Sequence, residues 1–369
     1  MNELPPVHPR RIVIDPLQQL ISEKIHLVFG PGVTLTSLAS LAGDASSRRY
    51  YRAHLRGADA PATAIVMELP AGSTLPLSSE ELAVFTQGPK ELPFLNLHRF
   101  LSRIGVHVPR LYGHWEHQRV ILLEDLGDTA LWDRVQNLTA EEIIVWYQKA
   151  IDELLLLQIV GTAQRDDDCV AFQQHFDFKL YMWEFEHFIE WGLEKRPGAK
   201  IDQTAIDLLR KCFTGISKTL QNQTSCLNHR DYHSWNLMVH NESIRVIDFQ
   251  DALLAPPQYD LASLLNDRIT DEMVTPSIEE RLVRYYIDSS RALDRTVEPD
   301  EFIEVYRLSA IQRDLKVVGR FYYLDLVKGK PGYRKFIPPT VRRLARNLAN
   351  SPQARPILPL LLEQFEAMQ

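Results

Sequence analysis

The spacing of apolar residues predicts both strands and helices before residue 139 and mainly helices after it. Alternating or continuous apolar runs at residues 48–55, 64–69 and 120–123 have the length of strands. From Thr139 onward apolar positions recur at helical spacing, and Thr139 with Glu142 forms the capping-box pattern of a helix start. The helices that we predict span residues 11–30, 94–104, 143–157, 176–193, 201–220, 277–293, 300–327 and 338–367.

Composition narrows the class of protein. The 369 residues are 45% hydrophobic and 24% charged, which is typical of a globular chain with a sizeable core. A formal net charge of −7 argues against nucleic acid as a partner. The three cysteines lack the spacing of a zinc site or a disulfide framework, and we see neither a membrane-spanning run nor a signal peptide. We therefore expect a cytoplasmic protein, and infer no protein partner.

The stretch from Leu227 to Asp251 carries the strongest chemical signal. His229, Asp231 and Asn236 fit the pattern H-x-D-x-x-x-x-N, in which the aspartate faces an acceptor hydroxyl and the asparagine holds a metal ion. Asp248 follows twelve residues after Asn236, at the end of an apolar run. Asp and Asn are also common turn residues, so a plain turn is the alternative interpretation. The apolar flanks and the second aspartate favour the catalytic one.

These residues suit the needs of phosphoryl transfer. A triphosphate requires Mg²⁺, which prefers hard oxygen ligands, and Asn236 and Asp248 can supply two of them. Asp231 is then left to face the incoming hydroxyl as the catalytic carboxylate. We expect a loop between two short strands to direct all three side chains into one cleft.

Residues 227–265 resemble the aminoglycoside phosphotransferase and choline-kinase-like family, and most closely its anomeric N-acetylmuramate/N-acetylglucosamine kinases. The matching text is HRDYHSWNLMV, VIDFQDALLAPPQYDLASLL, LLEDLGD at 122–128, QRDLKVVGRF at 312–321 and GKPGY at 329–333. The resemblance extends over roughly residues 35–350. It implies an α+β, protein-kinase-like fold with two lobes. The expected lobes are an antiparallel-sheet lobe at 1–124 and a larger, mostly helical lobe at 125–369.

The resemblance also implies an ATP- and Mg²⁺-dependent kinase of an amino sugar in cell-wall recycling. Two alternatives stay open. One is a kinase of the same family for an aminoglycoside, choline or homoserine, and the other is a nucleotide-binding pseudokinase without activity. An aminoglycoside would require an acidic pocket, whereas the carboxylate of N-acetylmuramate would require a base such as Arg313 or Lys316.

The nucleotide side of the site departs from the usual kinase pattern. No lysine occurs between Lys24 and Lys90, so the predicted hairpin lacks a lysine to pair with phosphate. Arginine suits bidentate phosphate contact, and Arg48, Arg49 and Arg52 are the nearest cations. Strand alternation places Arg49 on one face and the other two on the opposite face, and the sequence leaves open which face is inward. These arginines could also simply solvate an exposed strand.

Two further sets of residues follow from the resemblance. It implies that the backbone of Glu124 and Leu126 binds the adenine edge, although spacing alone indicates only an acidic turn. It also implies a substrate contact by Glu184, on an aromatic-rich helix whose other positions look like core. Arg313 is the predicted substrate-binding cation on the helix at 300–327.

Overall fold

The computed structural model describes residues 15–41, 48–70, 91–293 and 295–366. Within these ranges two compact units form, one from residues 15–70 and 109–125 and the other from residues 91–108 and 126–366. No helix in the described ranges is long and apolar enough to cross a membrane. The sequence predicts a loose tail at residues 1–10 and a turn from Gly43 to Ser47, and both stretches lie outside the described residues.

The smaller unit is one helix packed on an antiparallel sheet. Helix α1 begins after Asp15, whose carboxylate accepts the N–H of Leu17, and its first position is Pro16. The sheet order among the described strands is β1-β2-β3-β5-β4. The elements are α1 (Pro16–Phe29), β1 (Thr34–Leu41), β2 (Arg49–Arg56), β3 (Thr63–Glu68), β4 (Leu111–Trp115) and β5 (Val120–Glu124).

Helix α1 determines which face of the sheet is covered. Ile21 and Ile25 pack against Ala53 and Leu55 of β2 in one hydrophobic cluster. The pairing of β2 with β3 continues without a bulge, so side chains along β2 alternate strictly between the two faces. Arg49 therefore shares the helix-covered face, and Arg52 lies on the opposite face.

The predicted hairpin is confirmed, since β2 and β3 pair antiparallel from Arg49↔Glu68 to His54↔Thr63. Strand β1 was missed by the sequence analysis. It is an edge strand built largely of Ser, Thr, Ala and Leu, and none of its residues is fully buried. The sequence of β1 therefore shows little of the alternation between buried and exposed positions by which strands are recognised.

The larger unit is mostly helical. Its helices are α2 (Pro93–Arg103), α3 (Leu131–Val135), α4 (Ala140–Leu155), α5 (Phe178–His187), α6 (Gln203–Gln221), α7 (Gln258–Leu265), α8 (Pro276–Ala292), α9 (Pro299–Leu326), α10 (Ile337–Asn350) and α11 (Leu358–Gln364). Helices α4 and α5 run on into π-helical turns at Leu156–Val160 and Phe188–Glu194. Short 3₁₀ turns occupy Val170–Gln173, Thr270–Glu272, Pro331–Phe336 and Arg355–Ile357. The predicted helices are thus confirmed, with shifted ends, except that the helical stretch predicted at 338–367 is divided into α10 and α11 by residues 351–357. The capping box at Thr139 is present.

Helix α2 was assigned by the predicted lobe boundary to the N-terminal lobe, but its contacts are in the larger unit. The Phe94 ring stacks on Phe249 at 5.0 Å, and the Asn96 side chain accepts the N–H of Val170. After β3 the chain thus enters the larger unit with α2, and it then goes back to the smaller unit, where β4 and β5 complete the sheet.

Helices α5 and α9 approach closely at a glycine. A Cβ atom on Gly319 would lie 2.8 Å from the Cα of Phe188, a separation that real Cβ atoms essentially never show. The absence of a side chain at Gly319 therefore lets the two backbones touch. This contact fixes the spacing of the two helices that carry Glu184, Arg313 and Lys316.

Two short strand pairs frame the polar site of the larger unit. Strand β6 (Cys226–Asn228) pairs with β9 (Leu253–Ala255), and β7 (Leu237–His240) pairs with β8 (Ser243–Val246). The turn between β7 and β8 is Asn241–Glu242, where both residues have positive φ, as in the two-residue hairpins that match strand twist. The loop from β6 to β7 and the segment after β8 contain the predicted catalytic and metal-binding residues.

Candidate active site

The loop between β6 and β7 is held by buried hydrogen bonds. The Asp260 carboxylate of α7 accepts the N–H of His229 at 2.5 Å and that of Arg230 at 3.0 Å. The His229 ring lies 2.8 Å from the carbonyl of Ile247 through Nε2 and accepts the N–H of Asp231 at Nδ1. A neutral ring with its proton on Nε2 satisfies both contacts. The loop is therefore fixed from α7 on one side and from the β8 segment on the other.

The side chain of Asp231 is half-buried, in contrast to the residues beside it. Its side chain is 41% exposed, whereas His229, Arg230 and Tyr232 are buried. Arg230 has φ +79°, in the left-handed region that a residue with a Cβ disfavours. That backbone turn accompanies the change from the buried Arg230 side chain to the accessible Asp231 carboxylate.

Asn236 and Asp248 lie at the same end of the β7–β8 hairpin. Leu237 pairs with Val246, so Asn236 directly precedes one strand and Asp248 closely follows the other. The N–H of Ile247 donates to the carbonyl of Asn236 at 3.1 Å, which extends the pairing toward Asp248. Asp248 itself has φ +62°, again in the left-handed region. The hairpin thus brings together two residues that are twelve positions apart.

The side chains at this hairpin end fit a hard cation. The Asn236 amide donates from Nδ2 to the carbonyl of Asp231 at 3.0 Å, which orients its oxygen as the remaining ligand atom. One oxygen of Asp248 accepts a hydrogen bond from Gln250 at 2.9 Å, and the carboxylate has a second oxygen to offer. An amide oxygen and a carboxylate are ligands of the kind that Mg²⁺ takes beside phosphate and water. Among the described residues no group of three or more His, Cys, Asp or Glu side chains could hold a metal ion.

A buried charged cluster lies beside the catalytic loop. Glu184 of α5 accepts the Gln312 amide at 2.6 Å and lies 3.1 Å from Lys316 and 3.4 Å from Arg230. Arg313 donates to the carbonyl of Arg230 at 2.8 Å and lies 3.7 Å from the Asp231 carboxylate. The structure thus brings Glu184 and Arg313 to the catalytic loop, although both are buried and engaged with protein groups.

The charges of this cluster determine the ionisation of Asp231. Burial acts to raise the pKa of Asp231, but Lys316 and Arg313 outweigh it and hold that pKa well below its usual range. The pKa of Glu184 is also lowered, because Lys316 and Arg230 outweigh the effect of burial. Asp231 is therefore a carboxylate at neutral pH, ready to accept a hydrogen bond from a hydroxyl.

The predicted nucleotide-binding residues of the smaller unit differ in their surroundings. Arg52 forms a two-contact ion pair with Asp125, at 2.6 and 3.1 Å, and its side chain is 17% exposed. Arg49 pairs with Glu68 at 2.8 Å and is 70% exposed. The N–H of Glu124 donates to the carbonyl of Arg110 within the sheet, and the Glu124 carboxylate accepts the N–H of Arg110.

Leu126 belongs to the larger unit. Its carbonyl lies 3.2 Å from the ring of His240, so the group that it could offer to adenine is its N–H. The nucleotide-binding role of Glu124 and Leu126 stays a prediction.

Sequence analysis missed several residues that hold the site. Asp267 lies 3.6 Å from Arg313, and the hydroxyl of Tyr259 lies 3.4 Å from it. Both residues lie in the otherwise apolar segment QYDLASLLND, residues 258–267. Charged or polar residues within an apolar segment were the available signal, since such groups are buried only when paired.

Comparisons with known proteins agree with this geometry. A family model described as phosphotransferase enzyme family matches residues 37–296. The N-acetylmuramate/N-acetylglucosamine kinase of Pseudomonas aeruginosa is 27% identical over 319 residues, which cover 86% of this chain and 85% of that protein. The protein of the same name in Neisseria meningitidis serogroup B is 29% identical over 335 residues, covering 88% and 90%.

Solved structures show the fold. Choline kinase LicA from Streptococcus pneumoniae superposes with a TM-score of 0.56 at 17% identity, over 91% of this chain and 100% of that chain. The ADP-bound aminoglycoside phosphotransferase APH(2'')-Ib gives a TM-score of 0.56 at 16% identity, over 89% and 97%. These likenesses confirm the predicted protein-kinase-like α+β fold.

Proposed function

Because the chain belongs to the phosphotransferase enzyme family, we propose that it phosphorylates the anomeric hydroxyl of N-acetylmuramate or N-acetylglucosamine, using ATP and Mg²⁺. The observation that carries the proposal is the Asp231 carboxylate, exposed between buried neighbours and flanked by Arg313. The sugar class is supported by the names of the relatives, which match more than four-fifths of the chain. Localisation in the cytoplasm is the expectation that accompanies this function.

In this mechanism Asp231 orients the acceptor hydroxyl and receives its proton. The hydroxyl oxygen forms a bond to the γ-phosphorus while the bond from that phosphorus to the β–γ bridging oxygen breaks, and ADP leaves. The depressed pKa of Asp231 makes it a weak base. It therefore acts mainly by alignment, and takes the proton as the new bond forms.

Asn236 and Asp248 are the proposed Mg²⁺ ligands. When bound, Mg²⁺ neutralises the charge of the triphosphate. Asp248 provides the negative charge of this pair, and the Asn236 amide ties the metal site to the backbone of Asp231 through its bond at 3.0 Å. The chain thereby links the metal-binding residues to the residue that holds the acceptor.

On the nucleotide side, we assign the phosphate contact to Arg52 in preference to Arg49. Arg52 lies on the sheet face that α1 leaves uncovered, and its partner Asp125 holds it in a defined orientation. Arg49 shares the face of α1 and has a largely exposed side chain. Adenine would be bound by the carbonyl of Glu124 and the N–H of Leu126.

On the acceptor side, the predicted roles of Glu184 and Arg313 take a more specific form. The side chain of Lys316 is 13% exposed, whereas those of Arg313 and Glu184 are 3% and 0% exposed. Lys316 is therefore the cation that could meet the carboxylate of N-acetylmuramate, with Glu184 holding it at 3.1 Å. Arg313 is too deeply buried to be the direct partner of that carboxylate.

An assay with blocked sugars tests the proposal. Purified protein, ATP and Mg²⁺ are incubated with N-acetylmuramate, N-acetylglucosamine or the methyl glycoside of N-acetylglucosamine, and products are identified by ³¹P NMR. We expect a sugar 1-phosphate from both free sugars and none from the glycoside, whose anomeric oxygen carries a methyl group. D231N serves as the inactive control.

The alternatives give different results in the same assay. Phosphorylation of the methyl glycoside would contradict the anomeric position. Turnover of an aminoglycoside, choline or homoserine, with none of either amino sugar, would contradict the substrate class and leave the kinase assignment intact. Nucleotide binding without turnover of any acceptor would indicate the pseudokinase.

A further inference from the structure

The backbone of Arg230 has an unfavourable conformation that the surrounding residues maintain. Its φ of +79° is rare for a residue with a side chain, and such residues persist only where neighbouring groups determine them. Arg230 directly precedes Asp231, so its backbone angles set the direction in which the Asp231 side chain leaves the chain. The groups that hold the backbone of Arg230 therefore also orient the Asp231 carboxylate.

Both peptide groups of Arg230 are held by side chains from other elements. On the N-terminal side, its N–H donates to the Asp260 carboxylate of α7 at 3.0 Å. On the C-terminal side, its carbonyl accepts a hydrogen bond from Nη1 of Arg313 in α9 at 2.8 Å. Its own guanidinium lies 3.4 Å from the buried Glu184. Arg313 thus fixes the peptide plane that joins Arg230 to Asp231.

Arg313 also contacts the catalytic carboxylate itself. The Nη1 atom that donates to the Arg230 carbonyl lies 3.7 Å from Oδ1 of Asp231, and Nη2 lies 3.6 Å from Asp267. Its guanidinium also lies over the ring of Tyr259, with Cζ 5.3 Å from the ring centroid. With 3% of its side chain exposed, Arg313 offers almost no surface to a substrate.

We propose that Arg313 is a positioning residue, which holds the peptide before Asp231 and the Asp231 carboxylate in one orientation. This inference rests on the proposed function, since it concerns the residue that would align the acceptor hydroxyl. It differs from the predicted role of Arg313 in binding the acceptor. The planar guanidinium is suited to the task, because one rigid group reaches a carbonyl and a carboxylate at the same time.

The proposal predicts a specific kinetic result. Misalignment of Asp231 should lower kcat, because the acceptor hydroxyl is no longer held for transfer, and should leave KM for ATP and for the acceptor nearly unchanged. A displacement of about 1 Å can lower the rate about 10²-fold. Lysine keeps the charge but lacks the fork, so R313K should recover part of the loss caused by R313M.

The experiment compares R313M, R313K and R343M with the wild type. Arg343 is a matched control, since it is a buried arginine of the same unit that contacts Asp314, Asp271 and the carbonyl of Arg268 instead of the catalytic loop. Folding of each variant is checked by circular dichroism and by titration with ATP. Steady-state kinetics use whichever acceptor the wild type phosphorylates fastest.

We expect folded R313K to bind ATP as the wild type does, with kcat reduced at least about tenfold and both KM values within about threefold. Folded R343M should keep kcat within about threefold. If R313K raises KM for the acceptor and leaves kcat unchanged, Arg313 is a substrate contact and the proposal is wrong. Equal losses of kcat in R313M and R343M, or no loss in R313K, would overturn it as well.

The test can be told apart from that of the proposed function. A wild-type chain that phosphorylates a different alcohol contradicts the proposed sugar, yet the comparison of Arg313 variants proceeds with that alcohol. A wild-type chain that transfers phosphate to no acceptor contradicts both proposals.

Discussion

The Asp231 side chain is exposed although its neighbours in the chain are buried, and its pKa lies well below the usual range. We predict that D231N lowers kcat about 10²–10⁴-fold, the range for a positioned acid–base group. ATP affinity should change little, because Asp231 is separate from the two proposed metal ligands. Steady-state kinetics with calorimetric titration of ATP check both parts, and turnover within tenfold of wild type would contradict the catalytic role.

Arg49 and Arg52 form a matched pair for testing the phosphate contact, since they lie on one strand and point to opposite faces. We predict that R52A raises KM for ATP and lowers kcat, because Arg52 lies on the face that α1 leaves uncovered. R49A should behave nearly as the wild type, since it loses only a surface ion pair. If R49A has the larger effect on KM and kcat, the phosphate contact belongs to Arg49. If neither variant changes the kinetics, the positive charge near the phosphates comes from backbone amides or from the metal ion.

At the scale of elements, the two ends of the β7–β8 hairpin differ. One end carries the proposed Mg²⁺ ligands Asn236 and Asp248, and the other end is the Asn241–Glu242 turn. We predict that D248A weakens binding of Mg²⁺-ATP and makes turnover depend on higher Mg²⁺, because the ion loses its carboxylate ligand. E242Q removes a carboxylate from the turn end of the same hairpin and should respond to Mg²⁺ as the wild type does. Mg²⁺ titrations of activity compare the three proteins, and an identical response would exclude Asp248 as a ligand.

The hairpin also shows what a sequence can predict. Asn236 and Asp248 could be placed together from spacing, because two strands of four residues and a two-residue turn leave few arrangements. The contact between Glu184 and Lys316 could not, since it depends on how α5 packs against α9. The ion pair of Arg52 with Asp125 was hidden for the same reason, as 73 positions separate the two residues.

At the scale of the whole molecule, a buried ion pair joins α9 to α10. Asp314 and Arg343 lie 2.6 Å apart, and both side chains are fully buried. Burial raises the pKa of Asp314 to about 6, although the positive charge of Arg343 acts to lower it. R343M leaves the Asp314 carboxylate unpaired and should reduce the free energy of unfolding by about 3–5 kcal/mol at pH 8.

The loss in R343M should depend on pH. The pKa of Asp314 is higher in the folded state than in the unfolded state, so folding favours the protonated carboxyl. Protonation of Asp314 therefore stabilises the folded state at low pH, and this contribution is lost as the pH rises through the folded-state pKa. Urea unfolding at pH 5 and pH 8 should therefore show the smaller loss at pH 5. R281M, which breaks the exposed pair with Glu141, should leave the free energy of unfolding nearly unchanged at either pH. Equal losses in R343M at both pH values would contradict this account.

The contact of Gly319 with Phe188 has a consequence for how this protein can vary over evolution. Gly319 lies three residues after Lys316, and Phe188 lies four residues after Glu184. The size of residue 319 therefore affects the distance between the side chains of Lys316 and Glu184. Enlarging residue 319 by a single methyl group would increase that distance without touching any charge. The residues that can replace Gly319 are therefore limited by the contact between Lys316 and Glu184, although position 319 carries no charge.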